Sequence, residues 1–322
     1  MSQNPDVLKY LIYEALQQLG AAADADEIAK GVRRLQIGLP AEDEFSAILG
    51  WLGRCQLVHK LDQSQFPPES RSRYQVPDLS AIFDYHGRSI PILIEVKTDK
   101  DATLSWKPDY RERLQRYADT LGLPLLVAWR PKTLWSLFDV RHLAKATTNF
   151  NIEFTEAIKQ TLMCELAGDF SFSFMSGTGA HIKMKKLNKT EDGYDVVIED
   201  AYFANADGQR FEDIPGLFQL FLCIDQESVV VEEESHFLQS FMSISGIAEF
   251  GHRALVTLLR FSTGADTIHW REILEQNNAP PLIRAGLKAA VERAIKIGFV
   301  EHCLHVKPVT MPDFLTRLSA VA

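Results

Sequence analysis

One short stretch constrains the fold most, because two carboxylates and a lysine border a pair of strand-like apolar runs. Val76-Pro77-Asp78 precedes the first run, Leu79–Phe83, and the second run, Ile90–Ile94, leads directly into Glu95-Val96-Lys97. His86-Gly87 lies between the runs, and glycine readily adopts the positive φ that a two-residue hairpin turn requires. The spacing therefore predicts a β-hairpin closed at His86-Gly87.

The register of this hairpin predicts which side chains meet. Tyr85 pairs with Arg88 across the turn, and counting outward along both strands places Asp78 opposite Glu95. Directly opposed residues of an antiparallel pair have Cβ atoms about 5 Å apart, close enough for two carboxylates to share one divalent cation. Since Glu95 and Lys97 are two apart on one strand, they point to the same face. The register therefore predicts a metal site with a lysine beside it.

Charged residues around a hairpin most often form a solvated surface, but the second strand argues for burial here. Residues Ile90–Lys97 form a nearly continuous apolar run, which is typical of a strand covered on both faces. Charged groups at the end of such a strand must pair or coordinate a metal. Two neighbouring carboxylates also raise each other's pKa, and a cation or the Lys97 ammonium relieves that repulsion. The pattern therefore favours a functional site.

The motif Pro77-Asp78 followed by Glu95-Val96-Lys97 resembles that of the PD-(D/E)XK nuclease superfamily, also called restriction-endonuclease-like. The next segments keep the same order, because Asp109–Thr120 is predicted to be a helix and Leu125–Trp129 a buried strand. The resemblance covers about residues 40–140 and reaches only the superfamily. It implies an α/β fold with a mixed central sheet flanked by helices.

The resemblance also implies the chemistry of the site. By position, Asp78 and Glu95 bind Mg²⁺ or Mn²⁺, and the Val96 main-chain carbonyl is a further ligand. Lys97 orients or deprotonates the attacking water. Members of the superfamily often carry auxiliary residues at two further positions, which here are Gln115 and Tyr117. The implied activity is a metal-dependent DNA endonuclease, with an RNA-cleaving nuclease and a non-catalytic binding subunit of nuclease-like fold as alternatives.

The net charge of −9 is unevenly distributed, and the segment around the motif is the basic part of the chain. Residues 76–150 contain 11 basic and 9 acidic side chains, whereas residues 151–322 contain 15 and 24. Phosphate contacts supply most non-specific affinity for nucleic acids. The sequence therefore predicts phosphate contacts, with a solvated helix face as the alternative, from five residues: Lys100, Lys107, Arg111, Arg113 and Arg116.

The acidity of the C-terminal half favours a protein partner over contact with a DNA groove, and a homodimer is left open. No apolar run approaches the ~18 residues needed to span a bilayer, and the N-terminus lacks the pattern of a signal peptide. The cysteines are scattered without a CxxC motif, which argues against structural zinc and disulfides. We therefore expect a cytoplasmic protein with no membrane contact.

Four segments are predicted along the chain. They are an N-terminal helical segment (1–40), the nuclease core (41–148), an α+β segment that opens with a helix Ile152–Leu166 (149–245), and a helical, winged-helix-like segment (246–322).

The first boundary is open, because the predicted helix Ala41–Gly53 and strand Gln56–Leu61 fit either an N-terminal winged helix or the nuclease core. The nuclease interpretation is slightly favoured, and it directs Glu42 or Glu44 towards the metal.

Overall fold

The predicted hairpin is present and is closed at His86-Gly87. In the computed structural model of the chain, both turn residues have positive φ, 52° and 79°, and Tyr85 pairs with Arg88. The Asp84 carboxylate accepts a hydrogen bond from the Gly87 amide (2.8 Å), which fixes the turn. The paired residues are those that the sequence predicted, so the hairpin register is confirmed.

The structure describes residues 40–62, 65–99, 101–175, 178–205, 207–212, 229–233, 237–243, 248–263, 270 and 279–319. The predicted N-terminal helices before residue 40, and Lys100, lie outside this range. The described strands are β1 (Cys55–Lys60), β2 (Leu79–Tyr85), β3 (Arg88–Thr98), β4 (Thr103–Trp106), β5 (Leu125–Arg130), β6 (Ser136–Asp139), β7 (Ala144–Lys145), β8 (Phe150–Glu153), β9 (Ser171–Phe174), β10 (Gly179–Lys189), β11 (Tyr194–Ala204), β12 (Val229–Glu233), β13 (Phe237–Ser243), β14 (Ala248–Phe250) and β15 (Val300–Leu304). The described helices are α1 (40–52), α2 (Pro108–Leu121), α3 (Phe154–Lys159), α4 (Gly251–Thr263), α5 (Ala279–Lys296) and α6 (Asp313–Ser319).

A five-stranded mixed sheet, in the order β1-β2-β3-β5-β6, is built on the hairpin. Only β3 and β5 run parallel, and the other neighbours in this sheet are antiparallel. Strand β1 pairs with β2 and so belongs to this sheet, and α1 packs in the same core cluster as β2 and β3. The predicted α/β architecture with a mixed central sheet and flanking helices is confirmed.

Both faces of β3 are covered. Ile92, Ile94 and Val96 lie in a core cluster that also contains residues of α1, whereas Leu93 lies in a second cluster with residues of α2. The two helices therefore flank opposite faces of the sheet. Because side chains alternate along a strand, Glu95 points to the α2 side of the sheet, and it is only 1% exposed. The near-continuous apolar pattern of this strand follows from that double burial.

The helix α2 begins and ends as its sequence predicts. Pro108 occupies its first turn, where the missing amide costs no hydrogen bond. Gly122 ends it in the left-handed conformation (φ 67°), and its amide donates to the Ala118 and Asp119 carbonyls.

The predicted helix Ile152–Leu166 is only partly present. Residues 150–153 form strand β8, which pairs with β4, and α3 ends at Lys159 before a π-helical turn over Met163–Ala167. The Leu162 amide donates to the Leu137 carbonyl of β6 (2.6 Å), so it leaves the helical hydrogen-bond pattern. Tertiary hydrogen bonds therefore override the local helical pattern.

The C-terminal half contributes two further sheets, β11-β10-β13-β12 and β14-β9-β15. The second sheet joins strands from both sides of the predicted boundary at residue 245, and the larger core cluster contains residues of α1, α4 and α5 together. The division into four segments stays a prediction. Among the described helices, none combines the length and apolar composition that a bilayer-spanning segment needs.

Candidate active site

Glu95 is the most deeply buried carboxylate of the candidate site. Its Oε1 accepts hydrogen bonds from Lys97 Nζ and from the Tyr110 hydroxyl, and both contacts are short. Its Oε2 is also buried, yet it has no hydrogen-bond partner in the part of the chain that the structure describes. A buried carboxylate oxygen without a partner is costly, because it has lost its hydration. This oxygen is therefore suited to a bound cation.

Asp78 lies directly before β2, one position beyond the Leu79–Ile94 pair, so the strand register brings it beside Glu95. Its Oδ2 accepts a hydrogen bond from the Val96 amide (2.8 Å) and lies 3.9 Å from Lys97 Nζ. Burial, and then the negative charge of Glu95, raise the pKa of Asp78 to about 7. The two carboxylates thus repel each other in the absence of a cation.

Lys97 links the two carboxylates. Its Nζ forms an ion pair with Glu95 and approaches Asp78. Burial by itself lowers the pKa of Lys97, but the negative charges around it, that of Glu95 above all, outweigh burial and hold this pKa above its usual value. Lys97 therefore carries a positive charge beside both carboxylates.

Tyr110 completes the site and was not among the residues predicted from sequence. It lies in the first turn of α2, and its ring packs edge-to-face on buried Trp106, with ring centroids 5.3 Å apart. Burial and the charge of Glu95 raise the pKa of Tyr110, so its hydroxyl stays protonated and donates a hydrogen bond to Glu95. The available signal was a tyrosine in the first turn of the helix that follows the Glu95-Val96-Lys97 motif.

The residues present fit a small divalent cation with a preference for oxygen. Mg²⁺ is commonly held by one or two carboxylates and keeps several waters, and Asp78 and Glu95 supply that number. Among the described residues, no group of three or more His, Cys, Asp or Glu side chains forms a metal cluster. The donor set therefore fits Mg²⁺ or Mn²⁺, and the Val96 carbonyl stays a predicted ligand.

The two glutamates of α1 lie in different surroundings. Glu44 is buried, and its Oε1 accepts from Trp135 Nε1 (2.9 Å) and lies 3.3 Å from Arg130 Nε. Glu42 lies 3.1 Å from Lys60 Nζ, and its charge contributes to the raised pKa of Asp78. The electrostatic link to the site therefore runs through Glu42, and the predicted auxiliary role of Glu44 stays a prediction.

The other two predicted auxiliary residues lie further along α2. The Gln115 amide donates to Asp119 (2.8 Å) on the exposed side of the helix. Tyr117, two turns after Tyr110, packs against the second core cluster. Their auxiliary roles also stay predictions.

The described members of the predicted basic cluster make several structural contacts. Lys107 is exposed just before α2, and the Arg111 guanidinium lies 4.4 Å from the centre of the Phe150 ring. Arg113 pairs with Asp109 (3.0 Å) and donates to the Arg71 carbonyl, and Arg116 donates to the Arg73 carbonyl. Two of these arginines therefore hold the preceding loop on α2.

No protein-family model matches the chain, and no curated protein matches it. Among solved structures, the chain is similar to Hjc, a Holliday junction resolvase from the archaeal hyperthermophile Archaeoglobus fulgidus. That match has 26% sequence identity and a TM-score of 0.30, and it covers 37% of this chain and 89% of that chain.

Proposed function

We propose that this protein is a divalent-metal-dependent nuclease that hydrolyses phosphodiester bonds, with DNA as its substrate. One observation carries the proposal: buried Glu95 has one oxygen held by two donors, while its other oxygen has no hydrogen-bond partner among the described residues. Asp78 lies beside it, and burial, followed by the charge of Glu95, raises the pKa of Asp78. The preference for DNA rests on the resemblance of the motif to the PD-(D/E)XK nucleases.

Asp78 and Glu95 would hold Mg²⁺ or Mn²⁺ together with the Val96 carbonyl. A bound cation supplies polarisation of the scissile phosphate and lowers the pKa of a water molecule. The protein supplies two carboxylates at adjacent strand positions, fixed by the hairpin register. The Val96 amide holds Asp78 in place (2.8 Å), so one carboxylate is oriented before any ligand arrives.

Lys97 acts in this proposal as a fixed positive charge. Because its pKa is raised, its ammonium keeps its proton and donates hydrogen bonds. A preorganised cation stabilises negative charge that develops on a phosphate oxygen. We therefore assign Lys97 to orientation of the attacking water and stabilisation of charge, in preference to proton abstraction.

Tyr110 acts as a positioning residue. Its hydroxyl and Lys97 Nζ both contact Glu95 Oε1, so the carboxylate cannot rotate freely. Groups that orient a metal ligand through a hydrogen bond typically contribute 10–100-fold to metal affinity or activity. Tyr110 would therefore affect metal binding without contacting the metal.

A non-catalytic binding subunit is the second candidate, and one observation favours it. Lys97 already pairs with Glu95, so this buried carboxylate has a countercharge from the protein itself. In that case the acidic C-terminal half would dock to a protein partner, and the hairpin would need no metal.

The test measures cleavage of plasmid DNA, single-stranded DNA and RNA with Mg²⁺, Mn²⁺ or EDTA, for wild type and Lys97→Ala. Metal-dependent cleavage that is lost in Lys97→Ala supports the nuclease, and cleavage by this variant at the wild-type rate would overturn the assignment. Calorimetric titration of Mn²⁺ into wild type and Glu95→Ala separates the two candidates, because only the nuclease requires a Glu95-dependent metal site.

A further inference from the structure

The loop between β1 and β2 begins and ends beside the candidate active site. At its start, the Leu61 amide donates to the Asp78 carbonyl (3.0 Å). At its end, the Gln75 amide donates to the Arg113 carbonyl in the middle of α2 (3.2 Å). Arg113 is less than one turn after Tyr110, which contacts Glu95. The two ends of this loop therefore contact the segments that carry Asp78 and Tyr110, and its residues 65–76 are here called the Phe66 loop.

The Phe66 loop is fixed by backbone contacts. It contains a 3-10 turn over Pro68–Ser72, and two arginines of α2 bind the carbonyls of the residues around the end of that turn. Arg113 donates to the Arg71 carbonyl (3.1 Å), and Arg116 donates to the Arg73 carbonyl (2.9 Å). The loop is thus attached to the same helix that supplies Tyr110, so its position relative to Glu95 is defined.

The outer surface of the Phe66 loop combines an exposed aromatic ring with exposed positive charge. Phe66 is 85% exposed, the highest value for a large hydrophobic side chain among the described residues. Arg71 and Arg73 are exposed, and neither forms an ion pair with a carboxylate in the described part of the chain. Three other arginines in this part of the chain are paired with acidic residues: Arg113, Arg130 and Arg141.

Aromatic side chains beside a positively charged groove are the usual contacts of proteins with unpaired nucleotides. A base stacks on the ring, and lysine or arginine binds the backbone phosphates. In an intact duplex the faces of the bases are already stacked on each other, so an exposed ring gains little from it. The surface of the Phe66 loop therefore favours a strand that has unpaired bases.

We propose that the Phe66 loop binds an unpaired nucleotide next to the cleavage site, with Phe66 stacked on the base and Arg71 and Arg73 on phosphates. The substrate would then be DNA with a single-stranded portion, such as a fork or an overhang. This inference rests on the proposed nuclease function, because it places the loop beside a scissile phosphate.

The test measures equilibrium binding with Ca²⁺ in place of Mg²⁺, and again in EDTA, so that it does not depend on cleavage. The ligands are three fluorescently labelled DNAs: a single strand, a blunt duplex and a fork with unpaired arms. The proteins are wild type, Phe66→Ala, Phe66→Trp, Arg71→Ala and Arg73→Ala, with Tyr194→Ala on strand β11 as a control that removes another exposed aromatic ring.

Wild type should bind the fork and the single strand more tightly than the blunt duplex. Phe66→Ala should weaken binding to the fork by about tenfold, the equivalent of one lost stacking contact, and Phe66→Trp should restore it. Each arginine variant should weaken binding to all three DNAs and reduce the salt dependence by about one phosphate contact. Because these side chains are exposed, the variants should fold as wild type does.

Fork binding by Phe66→Ala equal to that of wild type would overturn the inference, as would equal wild-type affinity for fork and blunt duplex. The two proposals fail separately. Phe66-dependent binding without cleavage in any metal would contradict the nuclease and keep the loop assignment. Metal-dependent cleavage with no effect of Phe66→Ala on binding would keep the nuclease and reject the loop assignment.

Discussion

The Tyr110 hydroxyl donates a hydrogen bond to the Oε1 atom of Glu95, the same oxygen that forms the ion pair with Lys97. Two donors on one oxygen fix the plane of the carboxylate and leave Oε2 without a protein partner among the described residues. A helix from one side of the sheet and the strand that bears the motif thus cooperate in orienting a single side chain.

Tyr110→Phe should weaken Mn²⁺ binding and slow cleavage by about 10–100-fold, because it removes one of the two donors that orient Glu95. The variant keeps the ring that packs on Trp106, so its loss of thermal stability should be limited to that of one buried hydrogen bond. Calorimetry with Mn²⁺ and cleavage kinetics measure the two effects, with Tyr194→Phe as the control. The variant should have a lower kcat and a higher dissociation constant for Mn²⁺, whereas its KM for DNA should be unchanged. Wild-type metal affinity in Tyr110→Phe would rule out the positioning role.

Lys97→Met should abolish cleavage and also destabilise the metal-free protein by about 1–3 kcal/mol, because buried Glu95 loses its countercharge. A divalent cation takes over part of that neutralisation. Added Mn²⁺ should therefore raise the melting temperature of Lys97→Met more than that of wild type.

The control for this prediction is Lys145→Met, which alters an exposed lysine on β7. In the double variant Lys97→Met/Glu95→Gln, the buried charge is removed as well, so part of the lost stability should return. If Lys97→Met and the double variant unfold at the same denaturant concentration, the unpaired charge of Glu95 is not the cause of the lost stability.

The raised pKa of Asp78 predicts a pH dependence of stability in EDTA. Its folded-state pKa of about 7 lies above its unfolded value near 4. Between these two values Asp78 is therefore more protonated in the folded protein than in the unfolded chain. The stabilisation is complete below about pH 4 and is lost as the pH rises through about 7. The slope contributed by this one group is at most about 1.4 kcal/mol per pH unit.

Asp78→Asn should remove this fall in stability between about pH 4 and pH 7, and urea denaturation across that range measures it. Glu69→Gln is the control, since Glu69 is an exposed carboxyl of the Phe66 loop. A wild-type slope that persists in Asp78→Asn would mean that another group titrates there.

The hairpin and its register were predictable because they depend on local rules, the turn chemistry of His86-Gly87 and the two-residue period of strands. The contact between Tyr110 and Glu95 was not, because it depends on how α2 crosses the sheet after β4. The Ile152–Leu166 prediction was only partly correct for a similar reason. The Leu162 amide donates a hydrogen bond to the Leu137 carbonyl of β6, and the residues near Leu162 in the sequence cannot predict such a long-range contact.

A buried network at the start of α4 joins the C-terminal half to the central sheet. The Trp135 amide donates a hydrogen bond to His252 Nε2 (3.1 Å), so Nε2 is an acceptor and the ring proton lies on Nδ1. Nδ1 in turn donates a hydrogen bond to Asp169 Oδ2 (2.6 Å). Asp169 Oδ1 also accepts a hydrogen bond from the His252 backbone amide (3.0 Å). Amides in the first turn of a helix have no acceptor within the helix, so Asp169 supplies one. Both side chains are at most 1% exposed, so neither can exchange its partner for water.

Asp169→Ala should therefore destabilise the protein by about 3–5 kcal/mol, because two buried donors lose their acceptor at once. Urea denaturation measures the loss, with the exposed Asp192→Ala as the control. His252→Ala in the Asp169→Ala background should cost much less than in wild type, since most of the interaction is already gone. The residual folded fraction should bind Mn²⁺ as wild type does, because no described hydrogen bond or ion pair joins Asp169 or His252 to Asp78 or Glu95. Additive losses in the double variant would show that the two residues stabilise the fold independently.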